Sequence, residues 1–313
     1  MATDDPLPPD PAALVLLAEI ADAGSVTEAA RRLGVSQPAV SKQLRRLEQA
    51  LGVTLFERGL RGIQPTEYGH ALLPRARAIR TQARQAGEEV QQRRGLREGK
   101  LEIALSHFAT IALLPRVMPA FRERWPGVQL SIVPPTFQLG GLREGRPDFA
   151  VMSMPAERLG AEYSARPLYA TTVAVVLRPG HPLAGAKSLA ELREAQWLLP
   201  SLESSVTRGL VRAFRQARIG TPQCAMTCQT LTGLETIATH TDLVAAMPLE
   251  VHEARASSTG LKRLPLAEPI EGPRVAILRW ADAKPTPASA DLEEAFVQAA
   301  HQMARAGTSR RRA

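Results

Sequence analysis

The sequence predicts a multidomain α/β protein: a small, mostly helical N-terminal module, one long helix, and an α/β region filling the remaining two-thirds of the chain. Three observations predict it. Short helical patterns separated by Gly and Ser occupy residues 11–56. A heptad-spaced apolar series follows from Leu72. Beyond Gly99, apolar strand-like runs alternate with helical stretches. At 313 residues the chain exceeds what one hydrophobic core usually organises, so more than one domain is expected.

In the first module, Leu14, Leu17, Ala18 and Ala21 fall at helical spacing, and Gly24 ends that helix. Ser25-Val26-Thr27-Glu28 fits a capping box, in which the serine oxygen accepts a free backbone N–H and the glutamate reaches back to the serine N–H. Ala29, Ala30 and Leu33 supply the buried face of this second helix, and Gly34 breaks it. Ser36 caps a third helix with Pro38 just inside it, where a missing N–H costs nothing, and Val40, Leu44 and Leu47 form its buried stripe. Residues 57–67, with Gly59, Gly62 and Pro65, read as a short hairpin or wing carrying Arg58 and Arg61.

A helix is predicted from Leu72 to about Arg94. Leu72, Ala76, Ile79, Ala83, Ala86 and Val90 trace a heptad seam, which suits a two-stranded pairing or a single surface helix packed on its own domain. Pro74 requires the helix to begin near it or kink there. Further on, Leu101–Leu105, Val128–Val133, Phe149–Ser153, Thr172–Leu177 and Arg274–Arg279 read as strands. Their alternation with helices predicts parallel sheets with covering helices, in a region large enough for two α/β lobes.

Charge is unevenly spread. The formal net charge of +8 lies entirely between Gly24 and Lys100, and the remainder is neutral. A basic block of this kind suits a polyanion or a solvated basic surface. Aromatics at 4% disfavour a stacking platform for single strands. The acidic, proline-rich start (Met1 to Asp10) lacks the form of a secretory signal, and no apolar run is long enough to span a bilayer. With two cysteines and no disulfide framework, the expected location is cytoplasmic.

Ser25 to Gln49 has helix-turn-helix logic: a short helix, a tight turn, and a second helix presenting polar residues from its first turns. Those residues are Ser36, Gln37, Ser41 and Lys42, with Arg45 one turn on. Gln can bond adenine at two atoms, Lys can bond guanine, and Ser can bond a base or a phosphate. Taken alone, the pattern also fits the polar face of an ordinary helical bundle.

The run GSVTEAARRLGVSQPAVSKQLRRLEQALGVTLFER (Gly24 to Arg58), with Arg61, Thr66 and Gly69 after it, closely resembles the N-terminal domain of LysR-type transcriptional regulators. Arg178-Pro-Gly-His181-Pro-Leu-Ala184 and Glu144-Gly-Arg-Pro-Asp148-Phe look like that family's effector domain. Leu17 and Pro65 depart from the family pattern without touching a polar DNA-facing position.

The resemblance implies a winged helix-turn-helix at residues 10–69, a dimerising linker helix at 70–98, and a periplasmic-binding-protein-like effector domain at 100–305. Lobe one would be 100–170 with 273–305, lobe two 171–271, and 306–313 a basic tail. It implies binding to interrupted inverted repeats in double-stranded DNA as a dimer of dimers, control by a small-molecule effector, and RNA polymerase as a further partner. Gln37, Pro38, Ser41 and Lys42 would meet base edges. Ser36, Arg45, Arg58 and Arg61 would hold phosphates or enter the minor groove.

The implied cleft between lobes would be lined by Ser106, His107, Phe108, Ala109 and Thr110, by Thr136, by Ser201, Ser204, Ser205 and Thr207, and by Thr230. Hydroxyls and free N–H groups at helix starts suit an anionic organic effector, although Ser and Thr are favoured there as caps in any case. Phe108 and Phe137 fit an aromatic effector or a core position equally.

Cys224 and Cys228 would lie about 13 Å apart along one strand face, too far for a disulfide, and are read as small apolar core residues. Met118, Met152, Met154 and Met247 are read as core filling. His107, His181 and His240 lack metal-ligand spacing with the cysteines, so no metal and no cofactor is expected. A small-molecule receptor, or an enzyme with an accessory DNA-binding domain, is the rival class. No nucleophile elbow, phosphate-binding loop or dinucleotide fingerprint supports the enzyme.

Overall fold

The computed structural model describes residues 9–59, 62–135, 140–153 and 159–310. Arg61, Thr136, Phe137 and Met154 lie outside them, as do residues 311–313.

Three helices open the chain: α1 (Pro11–Ala23), α2 (Val26–Leu33) and α3 (Gln37–Leu51). Asp10 caps α1, Ser25 caps α2 by accepting from the Glu28 N–H, and Ser36 caps α3. Only half of the expected capping box forms. The Glu28 carboxylate turns outward to Arg31 and Arg32, because two guanidinium partners outweigh one backbone N–H. The apolar stripes close on one another in a core of Leu14, Leu17, Ile20, Ala29, Ala30, Val40, Leu44 and Leu47. Leu33 departs from its expected place: it sits at the exposed end of α2, 39% accessible.

A hairpin follows, β1 (Phe56–Gly59) antiparallel to β2 (Gly62–Pro65). The Ile63 N–H donates to the Gly24 carbonyl, which ties the hairpin to the end of α1.

Helix α4 (Glu67–Arg93) starts well before Leu72, because Thr66 caps it and also donates its hydroxyl to the Thr54 carbonyl. Pro74 therefore lies inside the helix, where its ring removes one N–H from the ladder. Gly69 is required by close approach, since a Cβ there would run into the Leu55 carbonyl oxygen. The heptad seam divides. Leu72, Ala76 and Ile79 pack on the N-terminal core, whereas Ala83, Ala86 and Val90 are exposed, Val90 at 56%.

The rest is α/β: β3 (Glu98–Leu105), α5 (His107–Ala112), α6 (Leu114–Arg124), β4 (Gly127–Val133), α7 (Gly140–Arg143), β5 (Phe149–Ser153), β6 (Tyr163–Leu177), β7 (Gln196–Leu199), α8 (Ser205–Gln216), β8 (Gln223–Thr227), α9 (Leu231–His240), β9 (Val244–Pro248), α10 (Leu249–Thr259), β10 (Lys262–Arg263), β11 (Glu271–Trp280) and α11 (Pro287–Arg310). Strands pair in the order β4-β3-β5-β11-β6-β9-β7-β8, with β10 against β6.

Pairing is parallel within the first lobe (β3 with β4 and β5) and within the second (β7 with β8 and β9). The expectation of parallel sheets holds within each lobe and fails at the connection between them. Strands β6 and β11, which carry the chain between the lobes, run antiparallel to each other and to their neighbours. Strand β6 pairs with β11 as far as Thr172 and with β9 from Val173, and the Val173 N–H donates to the Ile270 carbonyl.

Each lobe has its own core. Ile103, Phe149, Val151, Ile277, Leu292 and Phe296 fill the first; Val175, Trp197, Leu199, Leu210, Phe214 and Val244 fill the second. Helix α11 continues through residue 310, so residues 306–310 of the basic tail are helical.

Candidate nucleic-acid interface and interlobe cleft

Helix α3 buries Val40, Leu44 and Leu47, which turns the opposite face outward. On that face Gln37, Pro38, Lys42 and Arg45 are exposed and Ser41 is half-buried, with Ser36 exposed at the cap. Positions 37, 41 and 45 stack one turn apart, with 38 and 42 beside them. The Gln37 amide nitrogen donates to the Ser41 hydroxyl at 2.9 Å.

Among the described residues, Lys42, Arg45 and Arg46 have no carboxylate partner. Arg31 and Arg32 instead share Glu28, and these two guanidiniums, Arg31 first, hold its carboxyl down to about 2. Two guanidiniums on one carboxylate still leave α2 with one net positive charge, while the cations of α3 have no carboxylate partner among the described residues. The backbone of Arg58 sits in β1 opposite Ile63, placing that residue on the wing. Arg61 lies outside the described residues.

In the α/β region, Ser106 and Ser153 stand at the ends of the adjacent parallel strands β3 and β5. Across from them, α8 opens at Ser204, which accepts from the Thr207 N–H. The Ser153 and Ser205 hydroxyls meet at 3.3 Å, a hydrogen bond from lobe one to lobe two. Ser153 was not among the expected site residues; its position at a strand end beside Ser106 was the signal available.

The structure sorts the expected cleft residues. His107 and Thr230 are exposed; Phe108, Thr110, Ser201, Ser204 and Ser205 are partly buried. Ala109 is wholly buried in the core of lobe one, so its side chain is not a cleft wall. The Ser106 hydroxyl turns back to the Val151 carbonyl, and the Thr207 hydroxyl to the Ser201 carbonyl, so both are already satisfied internally. Phe108 is partly buried and packs against the cores of both lobes. Thr136 and Phe137 fall outside the described residues.

Behind the cleft, the Thr171 hydroxyl on β6 bonds the Glu250 carboxylate in the first turn of α10. Burial pushes the Glu250 carboxyl up, and the Thr171 bond only partly offsets it. Burial, reinforced by Glu250, also pushes the Tyr169 hydroxyl above its ordinary range.

The cysteine expectation holds for Cys228, which is half-buried and packs against a core of the second lobe, and needs correction for Cys224, which is exposed on β8, an edge strand. Met118, Met152 and Met247 do pack in cores. Among the described residues no cluster of His, Cys, Asp and Glu could hold a metal ion, and no helix is long and apolar enough to cross a membrane.

A capped helix-turn-helix with a wing, joined by one long helix to two α/β lobes, is the architecture of a helix-turn-helix regulator with an appended ligand-binding domain. Family comparison agrees along the chain. The model for the LysR substrate binding domain matches residues 94–301, and that for bacterial regulatory helix-turn-helix proteins of the lysR family matches residues 11–70. The chain belongs to the lysR family.

It is 33% identical over 214 residues to a probable RuBisCO transcriptional regulator of Synechocystis sp., covering 66% of this chain and 62% of that protein. It is 35% identical over 192 residues to the transcriptional regulator PcaQ of Agrobacterium fabrum, covering 60% of this chain and 62% of that one. The match thus spans somewhat under two-thirds of these relatives' length. In fold, it is similar to full-length OxyR from Pseudomonas aeruginosa (TM-score 0.70, 20% identity, 93% of this chain and 94% of that one). It is also similar to full-length CbnR complexed with its target DNA (TM-score 0.65, 24% identity, 93% and 99%).

Proposed function

We propose that this chain is a sequence-specific DNA-binding transcriptional regulator rather than an enzyme, acting in the cytoplasm under control of a small effector bound between the two lobes. The observation that carries the reading is the outward face of α3. Gln37, Pro38, Lys42 and Arg45 are exposed on that face with Ser41 half-buried among them. Lys42 and Arg45 carry no carboxylate partner among the described residues, whereas Arg31 and Arg32 share Glu28.

In this reading Gln37, Pro38, Ser41 and Lys42 read base edges in the major groove, and Ser36, Arg45, Arg58 and Arg61 hold phosphates or the adjacent minor groove. The functional division runs as residues 10–69 for DNA, 70–98 for the linker, and 100–305 for the effector. The DNA target is an interrupted inverted repeat bound by a dimer of dimers, with RNA polymerase as the downstream partner. Support for self-association comes from the exposed, small-residue half of the α4 seam at Ala83, Ala86 and Val90.

For the effector, the reading keeps His107, Phe108, Thr110, Ser201, Ser204, Ser205 and Thr230 as cleft residues, and the Ser153–Ser205 hydrogen bond between the lobes supports a hydroxyl-lined junction there. A hydroxyl-rich cleft of this kind suits a small organic anion.

The test is binding of the purified protein to DNA upstream of its own gene against random DNA of equal length, at two salt concentrations. Protection of an inverted repeat that weakens with salt is the expected result. No preference over random DNA, there and across a genome-wide selection, would overturn the reading.

A further inference from the structure

Helix α4 belongs to two bodies at once. Its first half is part of the N-terminal core through Leu73 and Ala76. Its second half lies against lobe one. Gln85 donates to the buried Asp148 carboxylate at 2.6 Å, and the other Asp148 oxygen accepts the Glu102 N–H. Gln92 donates to the Glu98 carbonyl and accepts the Ala288 N–H. Between these contacts the turn Glu144–Gly145 approaches so closely that a Cβ on Gly145, itself at φ +72°, would overlap the buried Thr81 side chain.

At that junction charges from three elements converge. Arg77 on α4 bonds Asp22 of α1 at 2.8 Å with one nitrogen and reaches Glu144 of lobe one at 3.8 Å with another. One turn on, Arg80 takes the second Asp22 oxygen at 2.6 Å and Glu19 at 2.9 Å, with only 12% of its side chain exposed. These groups, with Arg32 and Arg146, line a recess of about 490 Å³.

We propose that Arg77, shared between Asp22 and Glu144, is an electrostatic latch that fixes the helix-turn-helix module against lobe one. The Thr81–Gly145 and Gln85–Asp148 contacts seat α4 on lobe one but do not touch α1. The Arg77 guanidinium is where α1, α4 and lobe one meet in one ion cluster. An isolated exposed pair contributes little. Here Asp22 has both oxygens engaged and Arg80 is largely covered, so Arg77 is held in place and Glu144 needs only to arrive. The recess opens the cluster to solvent ions, so salt weakens the latch while the buried Gln85–Asp148 contact persists. A displacement of the 144–145 turn by movement of lobe one is then transmitted to α1, and from α1 to the α3 packed beside it. This coupling goes beyond the DNA-binding reading and does not depend on it.

The test is a distance measurement in the full-length chain. Spin labels are placed at Gln49 on α3 and Glu123 on α6, in a background with Cys224 and Cys228 replaced by serine, and diluted with unlabelled chain so that only distances within one protomer are read. The expected result is a narrow distribution that at least doubles in width in Glu144→Gln and in Arg77→Ala. It should also broaden in the parent chain at about 1 M salt, where the Debye length is about 3 Å. Glu144→Asp should fall between parent and Glu144→Gln. Glu144→Gln keeps the backbone and both flanking contacts, so it tests the latch even if Arg77→Ala loosens the N-terminal core. A distribution unchanged by Glu144→Gln and by salt, with an unchanged melting temperature, would overturn the proposal and leave the orientation to the Thr81 and Asp148 contacts.

Discussion

The side chains of Gln37 and Ser41 are bonded to each other across one turn of α3, amide nitrogen to hydroxyl at 2.9 Å. The bond orients the Gln37 amide before any partner arrives. Gln37→Ala should cost about 1–3 kcal/mol at the specific site and relax one base preference, leaving random DNA nearly unaffected. Ser41→Ala should cost less, because it frees the amide without removing it. Competition binding with single-base variants of the operator checks both.

Thr66 links two elements, accepting the Gly69 N–H at the start of α4 and donating to the Thr54 carbonyl. Thr66→Ala should lower stability by about 1 kcal/mol, as lost caps do. Gly69→Ala should cost at least about 1–3 kcal/mol, because the added methyl meets the rigid Leu55 carbonyl. Urea unfolding monitored by circular dichroism measures both, and equal effects would show that the backbone had moved aside.

The Ser153–Ser205 bond is one strut between the lobes. A double-mutant cycle with Ser153→Ala and Ser205→Ala should return a coupling of about 0.5–1.5 kcal/mol in chemical unfolding. Additive effects would mean that the two hydroxyls do not act on each other.

Burial raises the Glu250 carboxyl above its ordinary value, so its ionisation costs more in the folded than in the unfolded chain. Its contribution is therefore most favourable below the ordinary carboxylate range, declines as pH rises through the interval between the unfolded and folded values, and stays reduced above it. Glu250→Gln keeps an oxygen for the Thr171 hydroxyl and removes the titration. The variant should match or exceed the parent in melting temperature at neutral pH and lose that advantage in acid. A Glu250→Gln variant that is less stable than the parent at neutral pH but not in acid would contradict the assignment.

Cys224 is exposed on an edge strand, so in the native protein it should react with a thiol reagent without denaturant, and Cys228 more slowly. Mass spectrometry of alkylated peptides distinguishes the two. Protection of Cys224 in the native state would place β8 in an interface.

The local syntax of the N-terminal module was legible from sequence because it rests on short-range rules. Ser25 and Ser36 are caps, Gly24 and Gly34 end helices, and Val40, Leu44 and Leu47 recur at helical spacing, which by itself turns Gln37, Lys42 and Arg45 outward. The same holds for the apolar strands and for the family resemblance carried by Gly24 to Arg58. Glu28 left its capping role for Arg31 and Arg32, partners three and four residues on that the chain order already supplies. Tertiary structure decided the longer-range satisfactions: the Ser106 hydroxyl turned inward to the Val151 carbonyl, which sequence does not place beside it. Ser153 meets Ser205, and Arg77 meets both Asp22 and Glu144, across gaps of many residues. Caps and helix faces depend on neighbours a turn away, which the chain order supplies. A charge or hydroxyl is satisfied by whichever partner folding brings within about 3 Å, and that is settled by how distant elements pack.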